Sequence, residues 1–210
     1  MNKLGDLSCN EFLTELASAA PAPGGGGGAA MAGALAAALA SMVANLTIGK
    51  EKFADREPEV KELLEQAEAE RVRLLTLVDE DAAVFNSFMS CYKLPKTTDE
   101  EKAARTAAIR AAAKQAATVP LNIARSSFAV LKLADRLVVA GNPGVITDGA
   151  CSGLLARAAL RCAEYNVRIN LGLTKDEVWN AKAAADLKKL LADAEALETR
   201  LLAVTDKALQ

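Results

Sequence analysis

The most constraining stretch of the chain is residues 21–50, in which two prolines and five consecutive glycines lead into a long alanine-rich run. Alanine is the strongest helix former, so this run predicts a long helix that the glycines precede. Small or short residues recur at every fourth position of it: Ala29, Gly33, Ala37, Ser41 and Asn45. One face of the helix is therefore almost free of side chains, and another helix can pack closely against it. We expect Asn45 to be buried there, with an interhelical hydrogen bond or a ligand contact as its partner.

The neighbouring face of the same helix carries larger apolar side chains at helical spacing: Met31, Leu35, Leu39, Met42 and Leu46. This spacing predicts a core-facing stripe, so the helix is apolar nearly all round. Residues 29–48 are long enough to cross a membrane. Alanine is only weakly apolar, however, and Ser41 and Asn45 interrupt the run, so we interpret it as a helix buried within protein.

The whole composition indicates an all-α protein. Alanine, leucine, glutamate and lysine dominate the 210 residues, and only 4% are aromatic. Short connections favour an antiparallel bundle of six or seven helices in a single domain over residues 1–210. The predicted helices are 8–20, a glycine-led helix ending at Gly49, 58–93, 98–140 with a break or kink at Pro120, 147–170, and 174–210. Ser8, Thr98, Thr147 and Thr174 are their predicted N-caps. Helices of this length commonly bury a face against a second subunit, so we predict a homodimer as the minimum state.

Several kinds of chemistry are excluded or disfavoured by the residue types present. The chain has no histidine, which removes histidine-ligated metals and Ser–His or Cys–His catalysis. The net charge is −2 without a basic stripe, so nucleic acid is not an expected partner. Four dispersed cysteines and no leader-like segment favour reduced thiols in a cytoplasmic protein. We expect no metal and no tightly bound cofactor.

Asp81 is the carboxylate that the pattern singles out. It follows Leu77 and Val78 by four and three residues and precedes Phe85 by four, so it shares their apolar helix face. A carboxylate there must be paired, neutralised or turned towards a cleft. From the pattern alone, a catalytic group and a structural ion pair with a neighbouring Arg or Lys are equally good interpretations.

The glycines 24–28 are the second candidate site, because a helix N-terminus presents unpaired backbone N–H groups to an anion or an electron-rich ligand edge. The match to a dinucleotide fingerprint is poor, since Pro-Ala-Pro replaces the required strand. The alternative is a flexible linker or a tight start to the helix. Lys50 and Asp148 can each be explained as charges that complement a helix dipole.

Together these segments resemble the cyclodeaminase/cyclohydrolase family, which comprises the C-terminal domain of formiminotransferase-cyclodeaminase and stand-alone bacterial methenyltetrahydrofolate cyclohydrolases. The resemblance is carried by residues 12–18 (FLTELAS), 21–43, 45–53 (NLTIGKEKF), 81–85 (DAAVF), 117–120 (ATVP), Asn142 with Thr147 and Asp148, and 166–171 (NVRINL). The sequence departs from the family's usual Pro-Thr-Pro-Gly-Gly-Gly-Ser, because Ala22 replaces the threonine and Gly27 the serine.

The resemblance implies an all-helical fold that dimerises, a folate substrate that can be polyglutamylated, and a catalytic aspartate at Asp81. The substrate-binding residues that we expect on this basis are Gly24, Gly25, Gly26, Gly27, Asn45, Lys50, Asn142 and Asp148. A chain without a transferase domain favours methenyltetrahydrofolate cyclohydrolase activity. Formiminotetrahydrofolate cyclodeaminase is the first alternative and a non-catalytic folate-binding bundle the second; an unrelated helical interaction protein would bind no folate.

Overall fold

The computed structural model describes residues 3–210, and these form helices, turns and loops without a strand. Six α-helices follow one another: α1 Cys9–Leu16, α2 Gly25–Asn45, α3 Glu57–Cys91, α4 Asp99–Ala140, α5 Ile146–Thr174 and α6 Glu177–Ala208. Short 3-10 helices lie at Leu4–Asp6, Glu51–Phe53 and Pro143–Val145. The all-α prediction is confirmed.

Consecutive long helices run antiparallel, as the short connections predict. Gly26 and Gly33 of α2 lie beside Asp81 and Leu74 of α3, so these consecutive helices run antiparallel. The non-consecutive helices α2 and α5 are antiparallel as well, because Gly25 lies beside Asn166 and Ala36 beside Ser152. The pairs between α4 and α6 run in the same direction instead, from Lys114 with Asp176 to Asp135 with Arg200. The result is an up-and-down bundle in which alternate helices are parallel.

The small-residue face of α2 lies in the middle of this bundle, against α3, α4 and α5. Ala29, Ala37 and Ser41 are buried there, as predicted. A methyl group added to Gly33 would lie 3.0 Å from a Leu74 methyl carbon and 3.1 Å from the Ser127 hydroxyl oxygen. This close approach is the physical reason why α2 is built from alanine and glycine.

The other expectations for α2 are corrected by the structure. Its larger apolar stripe was predicted to be core, yet Leu35 is 53% exposed and Met42 44% exposed in the single chain. The helix ends at Asn45, four residues before Gly49, and Asn45 is exposed at that end instead of buried. The helix is long and apolar enough for a membrane span, but 61% of its most apolar window is buried inside the protein.

Local capping chemistry sets most helix starts. Ser8 with Glu11 and Thr98 with Glu101 form the predicted capping boxes. The two later predictions were wrong, because α5 begins at Ile146 and therefore contains Thr147, and the Asp176 side chain caps α6 by accepting from the Trp179 N–H. The α5 helix also continues through residues 171–173 to Thr174, while α1 stops at Leu16, before the predicted end at residue 20.

Pro120 lies inside α4, which continues to Ala140, so of the predicted break or kink the structure excludes the break. Proline has no N–H, so the carbonyl of Ala116, four residues earlier, loses its helical partner. The Asn170 side chain on α5 supplies a replacement, because its Nδ2 donates to the Ala116 oxygen at 2.8 Å. A hydrogen bond between two helices thus pairs the carbonyl that α4 itself leaves without a donor.

This arrangement makes a stability prediction. Asn170→Ala leaves the Ala116 carbonyl unsatisfied, and we expect it to lower the free energy of unfolding by about 1–3 kcal/mol. In a Pro120→Ala background the backbone N–H returns, so the same Asn170→Ala change should cost clearly less. Urea unfolding of the four proteins in this double-mutant cycle measures the coupling. Equal costs in both backgrounds would show that Asn170 does not compensate for Pro120.

Candidate active site at the glycine-led end of α2

The first turn of α2 consists of glycines, so its backbone is bare. Gly24 is the N-cap residue and has no side chain with which to cap the helix, and the first intrahelical bond of this segment runs from the Gly28 N–H to the Gly24 carbonyl. The preceding N–H groups have no helical acceptor, because an α-helix leaves its first four donors unpaired. The positive end of the α2 dipole is therefore accessible through the backbone alone.

The Asp81 carboxylate lies directly against this turn. Antiparallel packing of α2 and α3 brings Leu74 to Gly33 and, two turns further along α3, Asp81 to Gly26. A methyl group placed on Gly26 would lie 2.5 Å from Asp81 Oδ2 and 2.6 Å from Cγ, which is an impossible overlap. Only glycine at position 26 allows the carboxylate to sit where it does.

The surroundings of Asp81 favour its protonated form more than water does. Burial raises the pKa of Asp81 above the usual aspartate range, and a hydrogen bond from the Gly27 backbone N–H opposes part of that rise. Within residues 3–210 no lysine or arginine forms a salt bridge with this side chain. The ion-pair interpretation of Asp81 is therefore not supported. A half-buried carboxylate with a raised pKa is a better proton acceptor than an exposed one.

Asn166 of α5 is a third member of this cluster, and it is not among the site residues predicted from the sequence. Its Nδ2 lies 3.4 Å from a methyl group placed on Gly25 and donates to the Cys162 carbonyl at 2.9 Å. This bond orients the amide so that Oδ1 is left as an acceptor. Residue 166 stands in a segment that carries the family resemblance, but nothing in the sequence pairs it with the glycines.

Four predicted binding residues lie at the opposite end of α2. The Asn142 backbone N–H donates to Thr47 Oγ1 at 2.9 Å, and its Nδ2 donates to the Leu46 carbonyl at 3.1 Å. Asn45 ends α2, Lys50 follows the next turn, and Asp148 lies in the first turn of α5. A helix of this length spans roughly 30 Å, so within one chain these residues are far from Asp81. Only Gly24–Gly27 and Asp81 come together as predicted.

The cluster has the chemistry of a site for acid–base work on a cationic or polar ligand. One carboxylate can accept a proton or stabilise positive charge, and backbone N–H groups beside it can hold an electron-rich edge. In the part of the chain that the structure describes, no group of three or more Cys, Asp or Glu side chains is arranged to hold a metal. The four cysteines are unpaired.

The fold and the site define a class of all-α protein with a half-buried carboxylate at a glycine-led helix start. A family model described as formiminotransferase-cyclodeaminase matches residues 8–189. The chain belongs to this family.

Individual relatives extend the comparison over nearly the whole chain. The chain is 44% identical over 197 residues to a methenyltetrahydrofolate cyclohydrolase of Methylorubrum extorquens, an alignment covering 94% of this chain and 95% of that protein. It is 34% identical over 190 residues to formimidoyltransferase-cyclodeaminase of Rattus norvegicus, which covers 90% of this chain but 35% of the rat protein. The crystal structure of formiminotetrahydrofolate cyclodeaminase from Thermotoga maritima superimposes with a TM-score of 0.89 at 29% identity, covering 99% of this chain and all of that one.

Proposed function

We propose that the protein is a methenyltetrahydrofolate cyclohydrolase, with Asp81 as its proton acceptor. The observation that carries this proposal is the half-buried Asp81 carboxylate seated against Gly26 without a cationic partner. A cationic substrate is the natural complement of such a group. The relative from Methylorubrum extorquens, which matches along almost its full length, supports the choice of reaction.

The chemistry follows from the charges. Methenyltetrahydrofolate carries a delocalised cation over its bridging N–C–N unit, and the Asp81 carboxylate stabilises that cation on binding. Water then adds to the bridging carbon while one of its protons passes to Asp81, which gives a neutral tetrahedral adduct. One carbon–nitrogen bond breaks as the adduct hydroxyl loses its proton and the departing nitrogen gains one. The products are formyltetrahydrofolate and one proton, which Asp81 releases to solvent.

The rest of the cluster has a binding role in this proposal. Backbone N–H groups of Gly25 and Gly26 donate to the electron-rich edge of the pterin or to a carboxylate of the substrate tail. Asn166 Oδ1 accepts from a ring N–H. Since Ala22 and Gly27 carry no hydroxyl, the loop binds through its backbone.

Cyclodeamination of formiminotetrahydrofolate is the second candidate, and the match to the Thermotoga maritima structure favours it. The same carboxyl would protonate the nitrogen that leaves as ammonia. Two assays on one preparation separate the reactions: loss of the methenyl absorbance, and ammonia release from the formimino compound. We expect the methenyl absorbance to decay fast and ammonia release to be absent or slow. Ammonia release without methenyl hydrolysis would reverse the assignment, and methenyl binding without decay would indicate a non-catalytic folate-binding protein.

We also propose how the enzyme assembles and where it works. The enzyme acts as a homodimer in the cytoplasm on a folate that can carry a polyglutamate tail. It needs no tightly bound cofactor or metal, and neither nucleic acid nor a membrane is a partner. Light scattering on the purified protein tests the assembly, with a dimer mass at micromolar concentration as the expected result.

The raised pKa of Asp81 predicts the pH dependence. Catalysis needs the ionised carboxylate, so kcat/KM falls as the pH drops through the pKa of the free enzyme, and this acid limb lies at a higher pH than for an ordinary aspartate. The bound cation lowers the same pKa, so the acid limb of kcat should lie at a lower pH than that of kcat/KM. Steady-state rates over a pH series measure both limbs. If the acid limbs of kcat and kcat/KM coincided at the pH of an ordinary aspartate, the effect of burial on the pKa of Asp81 would be contradicted.

A further inference from the structure

The side chain of Asn170 connects the candidate active site to α4. Its Nδ2 donates at 2.8 Å to the Ala116 carbonyl of α4 and, also at 2.8 Å, to the Asn166 carbonyl of its own helix α5. An amide nitrogen carries two protons, so both N–H groups of Asn170 are used. One half-buried side chain therefore fixes to α4 the turn of α5 that begins at Asn166.

The acceptor on α4 is open to this bond because of Pro120. In a regular helix the N–H of residue 120 would donate to the Ala116 carbonyl, and proline has no N–H. Pro120 is buried, and proline is the least favourable residue for a helix interior. An alanine at this position would restore an N–H that competes with Asn170 for the carbonyl. The proline thus keeps one carbonyl of α4 available to α5.

The turn that Asn170 holds carries Asn166, the α5 member of the candidate site. The Asn166 Nδ2 donates to the Cys162 carbonyl at 2.9 Å and lies 3.4 Å from a methyl group placed on Gly25. Both α4 and α5 pack against α2, so α4 is a common support for the two sides of the site. A shift of this turn relative to α4 would change the distance between Asn166 Oδ1 and the first turn of α2.

We propose that Asn170 and Pro120 are positioning residues for the proposed folate site. The carbonyl that Pro120 leaves free anchors Asn170, and Asn170 holds Asn166 where its Oδ1 can accept from the substrate. Neither positioning residue touches the substrate. The inference deepens the proposed function and rests on it for the role of Asn166.

The second bond of Asn170 separates this role from repair of the helix alone. One N–H group is enough to pair the Ala116 carbonyl. The other goes to the Asn166 carbonyl, which in a regular helix already accepts from the backbone N–H of residue 170. The additional bond therefore restrains the particular turn that leads to the site, and we expect its loss to change catalysis as well as stability.

A double-mutant cycle in kcat/KM tests whether Asn170 acts through Asn166. Asn166→Ala should lower kcat/KM by about 10- to 100-fold through loss of its hydrogen bond to the substrate. Asn170→Ala should lower it by roughly 10-fold, less than a full one-ångström displacement costs. In the Asn166→Ala background, Asn170→Ala should change kcat/KM less than about twofold, because the group that it positions is gone. Multiplying effects, or wild-type kcat/KM in Asn170→Ala, would overturn the proposal.

Pro120→Ala tests the same role in a variant with higher helix propensity, so its rate cannot be attributed to unfolding. It should lower kcat/KM severalfold while the helicity measured by circular dichroism at the assay temperature is retained. Wild-type kcat/KM in Pro120→Ala would overturn the role assigned to the proline.

Ser152→Ala is the matched control for both positioning residues. It also removes a side-chain hydrogen bond from α5 to a neighbouring helix, the 2.7 Å bond from Ser152 Oγ to the Ala36 carbonyl, but about four helical turns from Asn166. Its kcat/KM should equal that of the wild type. A fall as large as that of Asn170→Ala would show that any loosening of α5 slows the enzyme, and would overturn the specific role of Asn170.

Equilibrium folate binding by the same proteins separates failure of this inference from failure of the proposed function. If the wild type bound folate but hydrolysed no methenyltetrahydrofolate, the proposed reaction would be wrong. The positioning role would then stand if Asn170→Ala weakened folate binding only in the presence of Asn166, and it would fall if Asn170→Ala weakened binding equally in both backgrounds or in neither.

Discussion

Asp81→Asn is expected to reduce methenyltetrahydrofolate hydrolysis by about 10²- to 10⁴-fold, because an amide cannot accept the proton of the attacking water. The substitution keeps the shape of the side chain, so the Gly26 contact and the fold should be retained. Steady-state decay of the methenyl absorbance measures the rate, and circular dichroism measures helicity. Glu80→Gln, an exposed neighbour on the same helix, is the matched control and should keep wild-type activity.

The same substitution should not destabilise the protein. Burial raises the pKa of Asp81, so the native state binds this proton more tightly than the unfolded chain does. Below the usual aspartate pKa both states are protonated and nothing is lost; as the pH rises through the native pKa, ionisation weakens the fold. Asp81→Asn removes that cost, and we expect its Tm at neutral pH to equal or exceed that of the wild type. An inactive variant with a much lower Tm would indicate a structural role instead.

Gly26→Ala should lower kcat/KM by about 100-fold, comparable to a displacement of the catalytic group by one ångström. The added methyl group would overlap Asp81, at 2.5 Å from Oδ2, and the carboxylate must move away from the helix start. The fall in kcat/KM should exceed the fall in folate affinity, because the added methyl group lies against the proton acceptor itself. Methenyl decay and equilibrium folate binding, measured side by side, separate the two.

Gly172→Ala is the matched control for this prediction. It makes the same change within a helix, but an added methyl group at Gly172 meets nothing within 4 Å. Its activity should remain at the wild-type level and its Tm should not fall. Wild-type activity in Gly26→Ala would contradict the account of why glycine occupies that position.

Much of the fold could be predicted because it depends on local rules. The Ser8 and Thr98 caps and the small-residue face of α2 are each encoded in a short segment, and the structure confirms them. The shared site of Asp81 and the glycines was an expectation from the family resemblance, because spacing alone leaves the neighbour of Asp81 open. Helical spacing places Asp81 among core residues, and a carboxylate there needs an unusual neighbour.

The remaining features depend on contacts between distant segments, which spacing alone does not reveal. Pro120 predicts a break or kink, but the helix does not break there, and Asn170, far along the chain, donates to the carbonyl that the proline leaves unpaired. Asn166 reaches the site only because α5 packs antiparallel to α2. The spacing of the apolar stripe of α2 predicts core, because periodicity indicates burial without distinguishing cover by the same chain from cover by another.

The most direct test of the central claim is the decay of methenyltetrahydrofolate absorbance with the purified protein, in parallel with Asp81→Asn and a protein-free blank. A carboxylate seated against Gly26 as the proton acceptor predicts rapid decay with the wild type and decay close to the blank with the variant. Equal rates for the two proteins, or a wild type no faster than the blank, would contradict it.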